Sequence, residues 1–123
     1  MKTELAVSQP SRLVLARDFR ESVAHSVGIL GNSVASLILY HAQRSFDVDL
    51  SQLPQGVERF DRALRDLLGS SAIVVVRECA KRLSAVLGMR IEPLPDSLTL
   101  LYRRVAEGYR QENRFSFSEL TPR

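Results

Sequence analysis

The feature that most constrains the fold is a glycine-centred junction that occurs twice. Leu30-Gly31-Asn32-Ser33-Val34 and Leu68-Gly69-Ser70-Ser71-Ala72 each stand between two segments with the apolar spacing of a helix. A glycine just past a helix can adopt the left-handed conformation that closes the helix C-terminus, and a following Asn or Ser can accept a hydrogen bond from the free amides of the next helix. The junctions therefore predict two tight helical hairpins.

Apolar residues recur every three or four positions in five segments of the chain, which predicts five helices. These helices cover about residues 12–30, 32–45, 54–68, 70–87 and 96–113, the last beginning at an Asp96 cap. Residues 1–11 are predicted to be a loose N-terminal arm, 12–113 the helical core and 114–123 a C-terminal tail. We therefore predict an all-α, five-helix single-domain bundle in which a C-terminal helix follows the two hairpins.

The same spacing predicts which side of each helix is buried. The fourth helix is apolar over most of its circumference, so we expect it at the centre of the core. The third is amphipathic, and its charged side, which includes Asp61 and Asp66, is predicted to be a solvated surface. In the second helix, the inward residues are predicted to be Val34, Leu37, Ile38 and His41, with Leu39 and Tyr40 widening the stripe.

Composition excludes several classes of protein. At 123 residues, with 45% hydrophobic and 25% charged residues, the chain has the length and composition of one globular domain and is not largely disordered. Its only cysteine, Cys79, cannot form an intramolecular disulfide, which predicts a reducing compartment, the cytoplasm. No secretory signal opens the chain and no apolar stretch is long enough to cross a bilayer, so no membrane association is expected.

The residues do not suggest an enzyme. Cys79 falls among apolar residues in the middle of a predicted helix, where a thiol is usually an inert hydrophobic group. His25 and His41 are the only histidines, and they lack the paired spacing of metal ligands. No glycine-rich phosphate loop occurs. We predict no catalytic residue, no metal and no cofactor.

A nucleic-acid-associated regulator is the alternative. The net charge is +3, and all basic residues except Lys2 and Lys81 are arginines. A recognition helix needs polar residues in its first turns, but the fourth helix opens with Ala72-Ile73-Val74-Val75-Val76. Contacts to nucleic acid would instead have to come from surface arginines. The candidates are Arg59, Arg62, Arg65, Arg103 and Arg104.

Protein interaction is the function that the sequence favours. The fifth helix carries an apolar stripe and the tail carries two phenylalanines among serines, so these groups are predicted to meet a partner. The partner is either a second copy, in a homodimer joined through this helix and the tail, or another protein. The candidate interaction residues are Tyr102, Tyr109, Phe115 and Phe117.

The order of landmarks resembles that of a known family. One helix leads into Leu30-Gly31-Asn32-Ser33, a second carries Leu39-Tyr40-His41, a third closes in Leu67-Leu68-Gly69 and a fourth in Leu87-Gly88. In this order, over about residues 18–89, the chain resembles the small archaeal output-domain family first described from thaumarchaeal signalling proteins, the fifth Nitrosopumilus output domain type. The resemblance implies an all-helical module, free-standing or attached to signalling domains, that acts by protein contact and has no catalytic residues.

Overall fold

The computed structural model describes the backbone of residues 2–120 and the side chains of residues 13–109. Over residues 2–120 the chain is all-α, without a strand. Its α-helices are α1 (Lys2–Gly28), α2 (Asn32–Phe46), α3 (Val57–Leu68), α4 (Ala72–Leu87) and α5 (Leu98–Leu120). Single 3-10 turns occupy Leu50–Gln52 and Gly69–Ser71.

Both ends of the chain differ from the prediction. Helix α1 begins at Lys2, where a loose arm was expected, and α5 continues to Leu120 through most of the predicted tail. Pro10 had suggested a boundary, since an interior proline removes one helical hydrogen bond and crowds the preceding turn, but α1 runs through this position. Residues 114–120 contain neither Gly nor Pro, so nothing in that stretch ends α5.

The junction glycines both have positive φ but do not adopt the predicted left-handed conformation. Gly31 has φ 102° and ψ 155° and directly precedes α2, whereas Gly69 has φ 61° and ψ −136° and directly follows α3. The predicted side-chain caps are wrong. Helix α2 starts directly after Gly31 without a capping side chain, and the N–H of Ala72 donates to the carbonyls of Gly69 and Ser70. Because the 3-10 turn continues directly into α4, the N–H of Ala72 already donates to backbone carbonyls. No serine side chain is needed to cap it.

The two predicted hairpins are not the packing units of the fold. Helix α1 packs mainly against α4, and α2 mainly against α3, whereas the chain neighbours α1 and α2, or α3 and α4, contact each other less. Each junction consists of three residues, 29–31 in the first and the 3-10 turn Gly69–Ser71 in the second, and the helices that it joins do not pack along each other. Counting α3, its 3-10 turn and α4 as one uninterrupted segment, residues 2–120 hold four long helical segments, so the five-helix count is not confirmed.

Helices α2 and α3 run antiparallel. His41 Nε2 lies 2.8 Å from the Asp66 carboxylate near one end of the pair, and Arg59 donates to the carbonyl of Asp47 at 3.0 Å near the other. The connection between these helices packs against the core through the fully buried Val48 and Leu53. The C-terminal part of α2 is therefore tied to α3 at two points.

The core lies between α1 and α4. Small residues allow these two helices to approach closely: Ser22 and Ser26 on α1 are buried, and so are Cys79 and Ala80 on α4. The Ser26 hydroxyl donates to the Ser22 carbonyl at 2.7 Å, so one of the two buried hydroxyls is satisfied within its own helix. Large side chains fill the space on either side, and the largest that are fully buried include Phe19, Phe60, Ile38, Leu53, Leu64, Leu83, Leu98 and Leu101.

A buried carboxylate on α3 holds the start of α5. The N–H of Leu98 donates to Asp61 Oδ1 at 3.0 Å, and Arg65, 3.5 Å from Asp61, donates to the Asp96 carbonyl at 3.0 Å. The hydroxyl of Ser97 accepts from the N–H of Leu100 at 3.1 Å. Ser97 therefore caps α5, not Asp96 as predicted, and Asp61 is not on a solvated surface. A carboxylate suits the positive end of a helix.

Truncating a core leucine should cost far more than truncating a leucine on the outer side of α2. Leu83 is fully buried, whereas 53% of Leu37 is exposed. We expect Leu83→Ala to lower the free energy of unfolding by about 2 to 5 kcal/mol. Leu37→Ala, the matched control, should change it by less than about 0.5 kcal/mol. Denaturant unfolding measures both values. Equal losses would mean that α2 buries Leu37.

Removing the Asp61 carboxylate should loosen α5. Asp61→Ala leaves the Leu98 N–H and the Arg65 guanidinium without this partner, so we expect a loss of about 1 to 3 kcal/mol in unfolding free energy. Asp66→Ala removes an exposed carboxylate from the same helix and should cost less than about 1 kcal/mol. Chemical denaturation of the two variants gives the comparison. The assignment of Asp61 as the tie to α5 is wrong if Asp66→Ala costs as much.

Candidate interaction surface

Helix α2 turns apolar side chains toward solvent. Its core side carries Ile38 and Ala42, both fully buried. Away from this side, 53% of Leu37 and 61% of Tyr40 are exposed. Val34, which lies one turn before Ile38 on the same side of the helix as Ile38, is 36% exposed. Because residues three apart are neighbours on a helix surface, these three side chains adjoin one another. We call Val34, Leu37 and Tyr40 the α2 patch.

The surroundings of the α2 patch carry little charge. Helix α2 contains no acidic residue, and its only Lys or Arg is Arg44, one turn beyond Tyr40. At the other end, Ile29 adds another exposed apolar side chain just before the helix. Scattered apolar residues are normal on a protein surface, but adjoining large ones are typical of a contact site.

The α2 patch corrects the predicted orientation of this helix. Val34 and Leu37 were expected inside, together with Ile38, but the core stripe is Ile38 and Ala42, with Ala35, Leu39 and Phe46 packed beside them. Helix α2 has apolar residues around most of its circumference, so two overlapping stripes fit its sequence equally well. Packing against α3 decides between the two stripes, and periodicity cannot.

The ends of α1 and α5 lie away from the α2 patch. Helix α1 reaches the start of α2 with its last residue, Gly28, so residues 2–12 lie more than about 24 Å from that point along the helix. Helix α5 begins beside Asp61 and runs back along α3, since a groove between them is lined by Val57 and Tyr102. It therefore leads away from the end of α3 that carries Asp66, and the α2 patch stays open.

A hydroxyl, an imidazole and a carboxylate line up beside the α2 patch. Ser45 Oγ lies 3.5 Å from His41 Nδ1, and His41 Nε2 lies 2.8 Å from Asp66 Oδ2. The sequence does not indicate this array, because Asp66 comes from another helix. Its order is that of a hydrolytic triad, but Ser45 is in the last turn of α2, where the helix dipole disfavours a developing negative charge. The array therefore fits a structural tie between α2 and α3 better than a catalytic one.

The array lies outside two clefts of the described part of the chain. One, of about 490 Å³, lies between the end of α4 and residues 88–94. The other, of about 350 Å³, is the groove between α3 and α5. Neither is lined by a histidine or a cysteine, so neither pairs a nucleophile with an imidazole base.

The interaction residues predicted on α5 are partly engaged inside the molecule. The Tyr102 ring packs edge-on against Phe19, with 4.9 Å between the ring centroids. Tyr109 is partly buried and packs against the core. Phe115 and Phe117 lie outside the side chains that the structure describes. Among the described residues, the large apolar side chains that are exposed lie outside α5, and three of them lie on α2.

Three of the five candidate arginines bind their own chain. Arg59 donates to the Asp47 carbonyl at 3.0 Å, Arg65 contacts Asp61 and Asp96, and Arg104 donates to the Pro93 carbonyl. Arg62 and Arg103 are exposed on α3 and α5. Contacts to the chain's own carbonyls compete with contacts to a phosphate.

Cys79 is buried and unreactive. Burial raises the pKa of its thiol to about 12, against smaller opposing effects of a hydrogen bond with Ser26 and the charge of Arg82. The thiol therefore stays neutral at physiological pH, and only a thiolate is a good nucleophile or metal ligand. Among the described residues, no three potential His, Cys, Asp or Glu ligands cluster together.

Comparison with known protein families, curated proteins and solved structures finds no match to this chain. The resemblance to the archaeal output-domain family stays a prediction. In the described range, no helix combines the length and hydrophobicity needed to cross a membrane.

Proposed function

We propose that this protein is a non-enzymatic regulatory module that binds protein partners through the α2 patch. The observation that carries the proposal is the exposure of Leu37 and Tyr40 on the outer side of α2. Tyrosine is over-represented among the residues that dominate binding energy, because its ring buries a large area and its hydroxyl stays hydrogen-bonded.

The border of the α2 patch has the composition of an interface rim. Arg44 lies beyond one end, and the exposed Asp66 carboxylate, bound to His41, lies on one side. A centre without charge and a polar rim are the usual arrangement in protein interfaces. Such a surface can take up the apolar face of another helix or an equally uncharged groove.

A role in signalling follows from the family resemblance. The Leu39-Tyr40-His41 run that contributes to it lies on α2, and Tyr40 belongs to the patch. The resemblance implies that the family acts by protein contact. The α2 patch lies within the part of the chain that resembles this family. A cytoplasmic location is part of the proposal, since the single cysteine requires no oxidising compartment. The partner is a second copy of the chain or another protein.

A nucleic-acid-associated regulator is the second candidate. It is supported by the net charge of +3 and by the exposed Arg62 and Arg103. It is weakened by the other three arginines, which bind carbonyls or a carboxylate of their own chain.

A charged side chain placed in the α2 patch should abolish the binding of protein partners. Leu37→Glu puts a carboxylate in the centre of the patch, and desolvating it on binding is costly. Proteins that co-purify with the tagged wild-type chain should be lost. The matched control is Leu13→Glu, because Leu13 is 67% exposed on α1 and lies outside the patch. Its partners should match those of the wild type.

Two results would count against this function. If wild type, Leu37→Glu and Leu13→Glu retain the same partners, the α2 patch is not the binding surface. Duplex DNA supplies the other result. The nucleic-acid-associated regulator is the correct function if the chain binds duplex DNA with an affinity that falls steeply as salt rises. The double substitution Arg62→Ala and Arg103→Ala must then abolish that binding.

A further inference from the structure

We infer that the α2 patch is occupied by α2 of a second copy, packed antiparallel about a twofold axis between Leu37 and Tyr40. This inference rests on the proposed function and names the partner. In this arrangement Leu37 of each copy faces Tyr40 of the other, so each aliphatic side chain meets an aromatic ring. The contact is self-complementary, as a twofold interface requires.

Charge favours a partner with the same uncharged surface. From residue 32 to residue 40, α2 carries no charged side chain. An acidic partner would find only Arg44 as a counter-charge. A basic partner would find only Asp66, whose carboxylate already lies 2.8 Å from His41. A second copy would place its own uncharged residues 32–40 against the same uncharged residues of the first copy.

Charge also sets the orientation of the two helices. A parallel pair would place the two Arg44 side chains side by side. An antiparallel pair centred between Leu37 and Tyr40 separates them by about 16 Å along the axis, beyond the screening length of about 8 Å at physiological salt. Antiparallel packing also brings Ser33 of each copy opposite Arg44 of the other.

The size of the surface predicts a weak dimer. Helix α2 has 15 residues, which span about 22 Å. An interface made by one pair of such helices falls at the small end of specific interfaces, below about 1,200 Å². We therefore expect association in the micromolar range and a dimer in exchange with the monomer.

Single cysteines on α2 test this geometry in the intact chain. The native Cys79 is fully buried with its pKa raised to about 12, so it serves as an unreactive background. Leu37→Cys lies next to the proposed axis and should form a disulfide-linked dimer under mild oxidation. Arg62→Cys on the exposed side of α3 is the matched control and should form several times less. Non-reducing electrophoresis measures the covalent dimer.

Cysteines near the ends of the patch decide the orientation. Arg44→Cys alone should form little covalent dimer, whereas a mixture of Ser33→Cys and Arg44→Cys should form the mixed disulfide. Efficient self-linking of Arg44→Cys would instead show a parallel pair and overturn the inference.

Failure of the inference can be told apart from failure of the proposed function. If Leu37→Cys forms no more covalent dimer than Arg62→Cys, a second copy is not the partner. In that case, co-purified proteins that Leu37→Glu loses would still support binding through the α2 patch. If Leu37→Cys forms no excess of covalent dimer and Leu37→Glu loses no co-purified protein, both proposals are wrong.

Discussion

The close packing of α1 against α4 is the constraint on which the rest of the structure depends. Small residues at this contact, Ser22 and Ser26 on one helix and Cys79 and Ala80 on the other, let the backbones approach. Burial keeps the thiol neutral, and the Ser26 hydroxyl is satisfied by its own helix. With α1 and α4 at the centre, α2 and α3 form a second pair beside them. Helix α2 is then covered on the side of α1 and α3 and open on the other.

Local signals in the sequence located the helix junctions, and long-range contacts account for what it did not show. Gly31 and Gly69 mark these junctions and both have positive φ, but their ψ values of 155° and −136° lie outside the left-handed conformation that was predicted. The side of α2 that is buried could not be predicted, since the helix is apolar almost all round and its orientation is set by α3. Asp61 was misplaced because it holds the start of α5 from 37 residues away in the chain.

The candidate site was harder to predict than the fold for a related reason. Tyr40 and Leu37 have the composition of core residues, and only their position in the packed molecule makes them a surface. His41 and Ser45 were visible on one helix, but the carboxylate that completes their array comes from Asp66 on α3. The residues chosen on α5 illustrate the converse: the Tyr102 ring looked available in sequence and packs on Phe19 in the fold.

The α2 patch is proposed to bind a second copy of the chain. Light scattering on the full chain, over a concentration series in the micromolar range, tests this proposal most directly when wild type and Leu37→Glu are measured side by side. We expect the wild-type mass to rise from that of the monomer toward twice that value. Leu37→Glu should remain a monomer throughout and keep the denaturation midpoint that the wild type shows at concentrations where it is a monomer. The same mass for both proteins at every concentration would contradict the claim.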